Sequence, residues 1–261
     1  MGGRNTPLKL VMPWNKFWNG TWKRRNIFNG KWFILEIFLF GAIFIAIPYF
    51  LSNNIASLYL EDTFKMFPEN RYDRSIPVIN WMIIPYTALY LFYPITLIIA
   101  PKNDKGRMEL ITAMQILIMA NIFCVVFFLL FPAEIDMRDS LDWNSMNNLE
   151  LLFFEFIHTS DRPWNAWPSL HIVHSYFLAR LMTHWVKNNY SENKFTNIFL
   201  GVLWIEWFLL CISILTTKQH YMFDLFSGGI VGIIAWKLYQ PVLEKISVRG
   251  AKKLANDAGW V

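Results

Sequence analysis

Two short stretches concentrate reactive side chains in an otherwise apolar chain: "WPSLHIVHS" at 167–175 and "TTKQHYMFD" at 216–224. In the second, His220 and Asp224 are spaced i, i+4, so on a helix they share a face and lie within reach of each other. A carboxylate in that position accepts a hydrogen bond from one imidazole nitrogen, fixes the tautomer and leaves the other nitrogen free to attack. Lys218 adds a cation two residues ahead of the histidine. The first stretch sets His171 and His174 three residues apart, directly after Pro168 and Ser169. Nucleophilic and acid–base chemistry is one use of these groups. A metal site is another, with His171, His174, His220 and Asp224 as ligands, since HxxH with HxxxD suffices for one zinc. The plain alternative is structural, because a lone histidine in a helix is most often a packed group; His158 and His184 carry no argued role.

For the two stretches to act together, the fold must bring segments about 50 residues apart to one place. The composition says how. Of 261 residues, 55% are hydrophobic, 18% aromatic and only 16% charged. Soluble domains carry roughly a quarter charged residues, so this balance points to a membrane protein. Runs of about 20 apolar residues, the length that spans a bilayer, occur at Trp32–Leu51, Val78–Ala100, Leu110–Phe131, Asn197–Thr216 and Met222–Gln240. Pro168–Val186 has the length but carries His171, His174, Arg180 and His184. Counting it gives an all-α, polytopic fold with six transmembrane helices. Cys124 and Cys211 both sit inside apolar runs, which argues against a disulfide framework.

Threading six spans puts segments 1–31, 101–108, 187–195 and 241–261 on one side, with 16 Lys/Arg against 4 Asp/Glu. The segments between, 52–77, 132–169 and 217–221, hold 6 Lys/Arg against 11 Asp/Glu. The basic side is cytoplasmic by the positive-inside rule, with both termini, and both reactive stretches fall at the opposite, periplasmic or lumenal, boundary. The net charge of +5 is therefore a topology signal and gives no case for nucleic acid. The chain divides into a basic, Trp-rich segment 1–31, a membrane domain 32–240 and a basic tail 241–261. Trp14, Trp18, Trp22 and Trp32 suit a segment lying on an anionic leaflet, although a pure topology determinant reads the same way. "MNNLELLFFEFIH" (146–158) and "ASLYLEDTFKMF" (56–67) read as short interfacial helices. Gly228 and Gly232 continue the His220–Asp224 row and would let the last span approach a neighbour closely. Arg180 and Glu206 each lie ten residues from the outer end of their span, about 15 Å deep, which predicts an ion pair between those helices.

"PSLH" (168–171) followed by "SILTTKQHYMFD" (213–224) resembles the second and third motifs of the type 2 phosphatidic acid phosphatase family. The wider superfamily includes bacterial acid phosphatases and vanadium haloperoxidases. The resemblance implies their helical core over about residues 32–240, His220 as the nucleophile that takes up the phosphoryl group, and Asp224 as its orienting carboxylate. It implies His171 as the acid that protonates the leaving oxygen and Ser169 as a phosphate-binding hydroxyl. The family's Ser-Arg ahead of the histidine is Ser213-Ile214 here, with Lys218 the nearest replacement cation, and Leu170 stands where glycine is usual. The first motif is not intact: Arg138 in "FPAEIDMR" and Arg162 in "DRPWN" are the two candidates for its phosphate-binding arginine. His174 and Asn165 are candidate supporting groups. "NAWPSLH" and "TKQHY" look closer to the branch that contains inositol-phosphorylceramide synthases. The implied function is an integral membrane lipid phosphatase or phosphotransferase acting on a phosphate or pyrophosphate headgroup through a phosphohistidine. Its partners are a membrane lipid phosphate and the bilayer, and it needs no metal or other cofactor. A headgroup transferase with an alcohol acceptor, a metal-dependent membrane enzyme and a non-catalytic transporter or structural protein are the alternatives.

Overall fold

The computed structural model describes residues 11–59 and 66–260, and the regular elements among them are helical. In chain order these are α1 (Asn15–Arg24), α2 (Lys31–Gly41), α3 (Ile47–Tyr59), α4 (Ile83–Thr87), α5 (Leu89–Ile99) and α6 (Asp104–Leu130). They continue with α7 (Asn148–Ser160), α8 (Leu170–Asn189), α9 (Lys194–Thr216), α10 (Met222–Arg249) and α11 (Ala251–Asp257). A single π-helical stretch, Ala42–Ala46, joins α2 to α3 into one apolar rod. Local sequence sets the starts. Asn103, Asn147 and Asn193 each accept a hydrogen bond from a backbone amide of the first turn of α6, α7 and α9, satisfying donors that a helix leaves open.

Among the described residues, five rods are long and apolar enough to cross a membrane: Ile27–Leu58, Asn80–Ile99, Asp104–Leu130, Lys194–Thr216 and Met222–Arg249. Aliphatic side chains such as Ile47, Leu91, Ile98, Ile205 and Ile230 stand exposed on their outer faces, a belt that a soluble surface would not carry. This is the form of a multi-pass membrane protein. Helix α8 is different. It packs against α5, α6, α9 and α10, and 13 of its 20 residues are buried. A helix wrapped by others meets protein rather than lipid, so it tolerates polar groups that a lipid-facing rod could not. That is why its composition is the weakest of the six expected spans.

The expected interfacial helix at 146–158 is α7; of the second expected one, residues 60–65 lie outside the described residues. Helix α10 continues to Arg249 through Pro241, nine residues beyond the expected end of its span. Two other expectations need correction. Trp18 and Trp22 of α1 do not face a leaflet; both are fully buried in the protein. Trp18 Nε1 donates to Gln115 Oε1 on α6 (3.1 Å), and Trp22 packs on Trp260 beyond α11 (5.9 Å between ring centroids). The Arg180–Glu206 ion pair does not form. The Arg180 guanidinium sits 5.0 Å over the Trp236 ring of α10, and Glu206 Oε1 has no hydrogen-bond partner among the described residues. A position along a helix does not fix which way a side chain faces around it.

Candidate active site

Helix α9 ends in a tight reversal. Thr217 N–H donates to Ser213 O (2.9 Å), His220 N–H donates to Ile214 O (2.9 Å), and Lys218 takes up a left-handed φ of 58°. The reversal places His220 immediately before α10, whose first-turn Asp224 accepts through Oδ2 from the Tyr221 amide (2.9 Å). The same oxygen lies 3.2 Å from His220 Nδ1, and the Ala166 carbonyl lies 3.1 Å from that nitrogen. A carbonyl can only accept, so Nδ1 carries the proton. In the neutral ring Nε2 then carries the lone pair, and it faces Ser169 Oγ at 3.3 Å.

Ser169 precedes α8 and is fully buried; its amide donates to Asp224 O across the helix pair (3.3 Å). Such an approach needs a residue without Cβ on the other side. At Gly228, a Cβ would stand 2.7 Å from Ser169 O and 3.1 Å from Ile172 Cβ; at Gly232, the nearest atom is Tyr176 Cδ1 at 3.3 Å. The glycine row therefore seats α10 against α8, the helix that carries His171. The His171 ring lies 5.6 Å from the His220 ring and stacks on Tyr86 of α4 at 4.3 Å. Its Nε2 is buried without a hydrogen-bond partner among the described residues. His174, one turn on, bonds Tyr93 Oη through Nδ1 (2.6 Å) and also leaves Nε2 unpartnered.

The cations are disposed differently from one another. Lys218 Nζ donates to the Asp73 and Ile76 carbonyls (2.8 and 2.7 Å), so it fastens the 66–78 loop to the His220 turn. Asp73 completes this clamp by accepting from the Met222 amide (2.8 Å). Burial pushes the Lys218 ammonium pKa down. Arg162 is exposed and bonds Ser57 Oγ at the end of α3. Arg138 donates to the Asp161 carbonyl (2.8 Å) and lies within electrostatic reach of Tyr86, His158 and Asp161. Asn165 ties its loop to α3, donating to Tyr49 O (3.0 Å) and Ser52 Oγ (3.1 Å). Ser169, His171, His220 and Asp224 thus converge, Arg138 borders them, His174 and Asn165 stand behind them, and Lys218 and Arg162 are engaged elsewhere.

Three participants escape a reading of the sequence. The Ala166 carbonyl is a backbone group and leaves no signature. Tyr86 is one aromatic among many. Asp161 accepts from Tyr49 Oη (2.7 Å) and from Asn53 on α3, contacts made more than 100 residues away. Burial pushes its carboxyl pKa up, while Arg138 and His220 pull against that shift. Its one local cue is an acid lying next to Arg162 in an aromatic loop. Gln219, beside the candidate nucleophile, donates to His158 Nε2 of α7 (3.1 Å), which gives that histidine a role in bracing the turn. Among the described residues, no three His, Cys, Asp or Glu side chains are grouped so as to hold a metal ion.

An imidazole with a fixed tautomer, a second imidazole across a gap, a buried hydroxyl and a helix N-terminus form an arrangement suited to an anion that reacts with a nitrogen nucleophile. No curated protein matches the chain. Residues 136–246, which carry Arg138, Ser169, His171, His220 and Asp224, match the model of the PAP2 superfamily, and this match supports the resemblance drawn from the two motifs.

Proposed function

We propose that the chain is an integral membrane enzyme that takes the phosphoryl group of a lipid headgroup onto His220. The observation that carries this reading is the pair of hydrogen-bond acceptors at His220 Nδ1, Asp224 Oδ2 and the Ala166 carbonyl, which leaves Nε2 as a lone-pair donor facing Ser169. The phosphate rests against Ser169 Oγ, the N-terminal amides of α8 and the Arg138 guanidinium, where donors meet the negative charge that spreads in the transition state. Nε2 attacks phosphorus, the P–O bond to the lipid breaks, and His171 gives its proton to the departing oxygen. Asp224 and the Ala166 carbonyl hold the cationic ring that results. In the second half, His171 takes a proton from water as that oxygen attacks phosphorus, the N–P bond breaks, and His220 is restored. An alcohol in place of water makes the same site a headgroup transferase, the reading favoured by the "NAWPSLH" and "TKQHY" motifs.

With α8 counted beside the five apolar rods, the bundle has six spans, both termini cytoplasmic and the site at the periplasmic or lumenal end. His220→Ala is expected to abolish phosphate release from every lipid phosphate the wild type accepts, and an active variant would remove the mechanism. Excess chelator is expected to leave turnover unchanged, whereas a loss restored by zinc would favour the metal reading.

A further inference from the structure

Within residues 218–222, the neighbours of His220 on both sides are tied outward. Lys218 Nζ donates to the Asp73 and Ile76 carbonyls (2.8 and 2.7 Å), and Gln219 Nε2 donates to His158 Nε2 of α7 (3.1 Å). Tyr221 Oη bonds Glu134 O and Asp136 Oδ1 (3.0 and 2.9 Å). The Met222 amide donates to Asp73 Oδ1 (2.8 Å). His220 alone among them turns inward, to Ala166 O, Asp224 and Ser169. Asp73 therefore grips both flanks of His220, with its carbonyl on Lys218 and its carboxylate on Met222. Its other oxygen, Oδ2, accepts from Asn70 N in its own loop (2.7 Å).

The grip is made of buried charge. Lys218 is 2% exposed and Asp73 1%, and buried charges persist only where hydrogen bonds and opposite charge compensate them. The φ of 58° at Lys218 is a conformation that a residue with a Cβ keeps only when its surroundings impose it. Asp73 also lies within electrostatic reach of both Lys218 and Asp224. The ammonium thus offsets a carboxylate that would otherwise repel an anion arriving at His220.

Resting on the phosphoryl-transfer reading of His220, we propose that Lys218 and Asp73 are positioning residues: they set where His220 Nε2 stands against Ser169 and make no contact with the substrate phosphate. The cation nearest to His220 in sequence serves the nucleophile, and Arg138 serves the anion.

The test uses the full-length chain in lipid nanodiscs. Its substrate is phosphatidic acid, lysophosphatidic acid or an isoprenyl pyrophosphate, whichever the wild type consumes fastest, with inorganic phosphate as competitor. Glycine adopts a φ of 58° freely, so Lys218→Gly keeps the turn while removing the clamp. Its kcat should fall about ten- to a hundredfold, with KM and the inhibition constant of phosphate within about twofold of wild type. Arg138→Met should raise that inhibition constant at least about tenfold. Lys218→Arg, which keeps charge and donors, should lie nearer to wild type than Lys218→Gly. Asp73→Asn, which keeps one acceptor oxygen, should lose less kcat than Asp73→Ala. Both residues act through one loop, so Lys218→Gly combined with Asp73→Ala should cost no more than the worse single variant. Thermal unfolding in detergent shows which variants fold, and the Asp73 pair gives the same reading if Lys218→Gly does not. Wild-type kcat in a folded Lys218→Gly or Asp73→Ala would overturn the proposal. A phosphate inhibition constant that rises in Lys218→Gly as much as in Arg138→Met would also overturn it and put Lys218 on the phosphate. If the wild type turns over no lipid phosphate, the phosphoryl-transfer reading itself fails, and the positioning role falls with it.

Discussion

Replacing Gly228 with alanine adds one methyl group at the point where α10 meets α8. The new Cβ would stand 2.7 Å from Ser169 O, 3.1 Å from Ile172 Cβ and 3.3 Å from Ser169 N, whereas ordinary contact begins at 3.4 Å. Two of these three atoms are backbone, so a rotamer change cannot relieve the clash. The helices must part by about 0.7 Å, the difference between the ordinary and the imposed distance to Ser169 O. His220 moves with α10 through its bond to Asp224, and Ser169 stays with α8, so the 3.3 Å separation between them widens. Misplacement on the order of 1 Å costs about a hundredfold in rate. A drop in kcat of roughly ten- to a hundredfold is therefore expected. Overpacking costs about 1–3 kcal/mol, partly offset by the 0.5–1 kcal/mol that alanine contributes over glycine in a helix. Gly229 is the internal control, since a Cβ there meets nothing within 4 Å. Gly229→Ala should match or exceed wild-type stability and keep full kcat. Phosphate release in nanodiscs and thermal unfolding in detergent read both quantities. Wild-type kcat in Gly228→Ala, or an equal loss in Gly229→Ala, would show that the Gly228–Ser169 contact does not set the spacing of the site.

Three other perturbations separate the parts of the site. Asp224→Asn removes a charge but leaves the Ala166 carbonyl to hold the His220 tautomer, so kcat should fall by about 10²-fold rather than the ~10⁴ seen where the tautomer is lost; a loss of the larger size would show that the carbonyl does not hold the ring. Arg138→Met should lower kcat/KM by about 10²–10³, while Arg162→Met, on the exposed side toward Ser57, should change it less than threefold; the reverse ranking would assign the phosphate to Arg162. Burial, with Arg138 adding to it, pushes the folded-state pKa of His158 down from 6.5 to about 4. The unfolded chain then binds this proton first, so stability present above pH 6.5 is lost as the pH falls toward 4. His158→Gln should flatten that part of the stability profile, and an unchanged slope would mean that other groups set it.

Much of this site was legible because its key spacings are local. The i, i+4 relation of His220 and Asp224 survives directly as a hydrogen bond, and the glycine row that extends it marks the face on which α10 meets α8. Helix α8 was recognisable as a helix despite its polar groups, for the same reason that it is buried: the other rods shield it. What was not legible depends on azimuth and on distant backbone. Arg180 turns to the Trp236 ring rather than to Glu206, whose Oε1 has no hydrogen-bond partner among the described residues. Lys218 sits two residues from His220, yet its left-handed backbone sends the ammonium to Asp73 and Ile76. Asp161 acquires its surroundings from Tyr49 and Asn53 across the fold. Trp18 and Trp22 read as membrane anchors until the partners on α6 and beside α11 are known.

On this mechanism His220 carries the phosphoryl group as a covalent intermediate. Mixing the wild-type chain with a radiolabelled lipid phosphate, quenching rapidly in base and digesting tests it directly. Alkali-stable label is expected on the peptide that contains His220, and it should disappear in His220→Asn. Turnover with no label on that peptide, or label retained in His220→Asn, would contradict it.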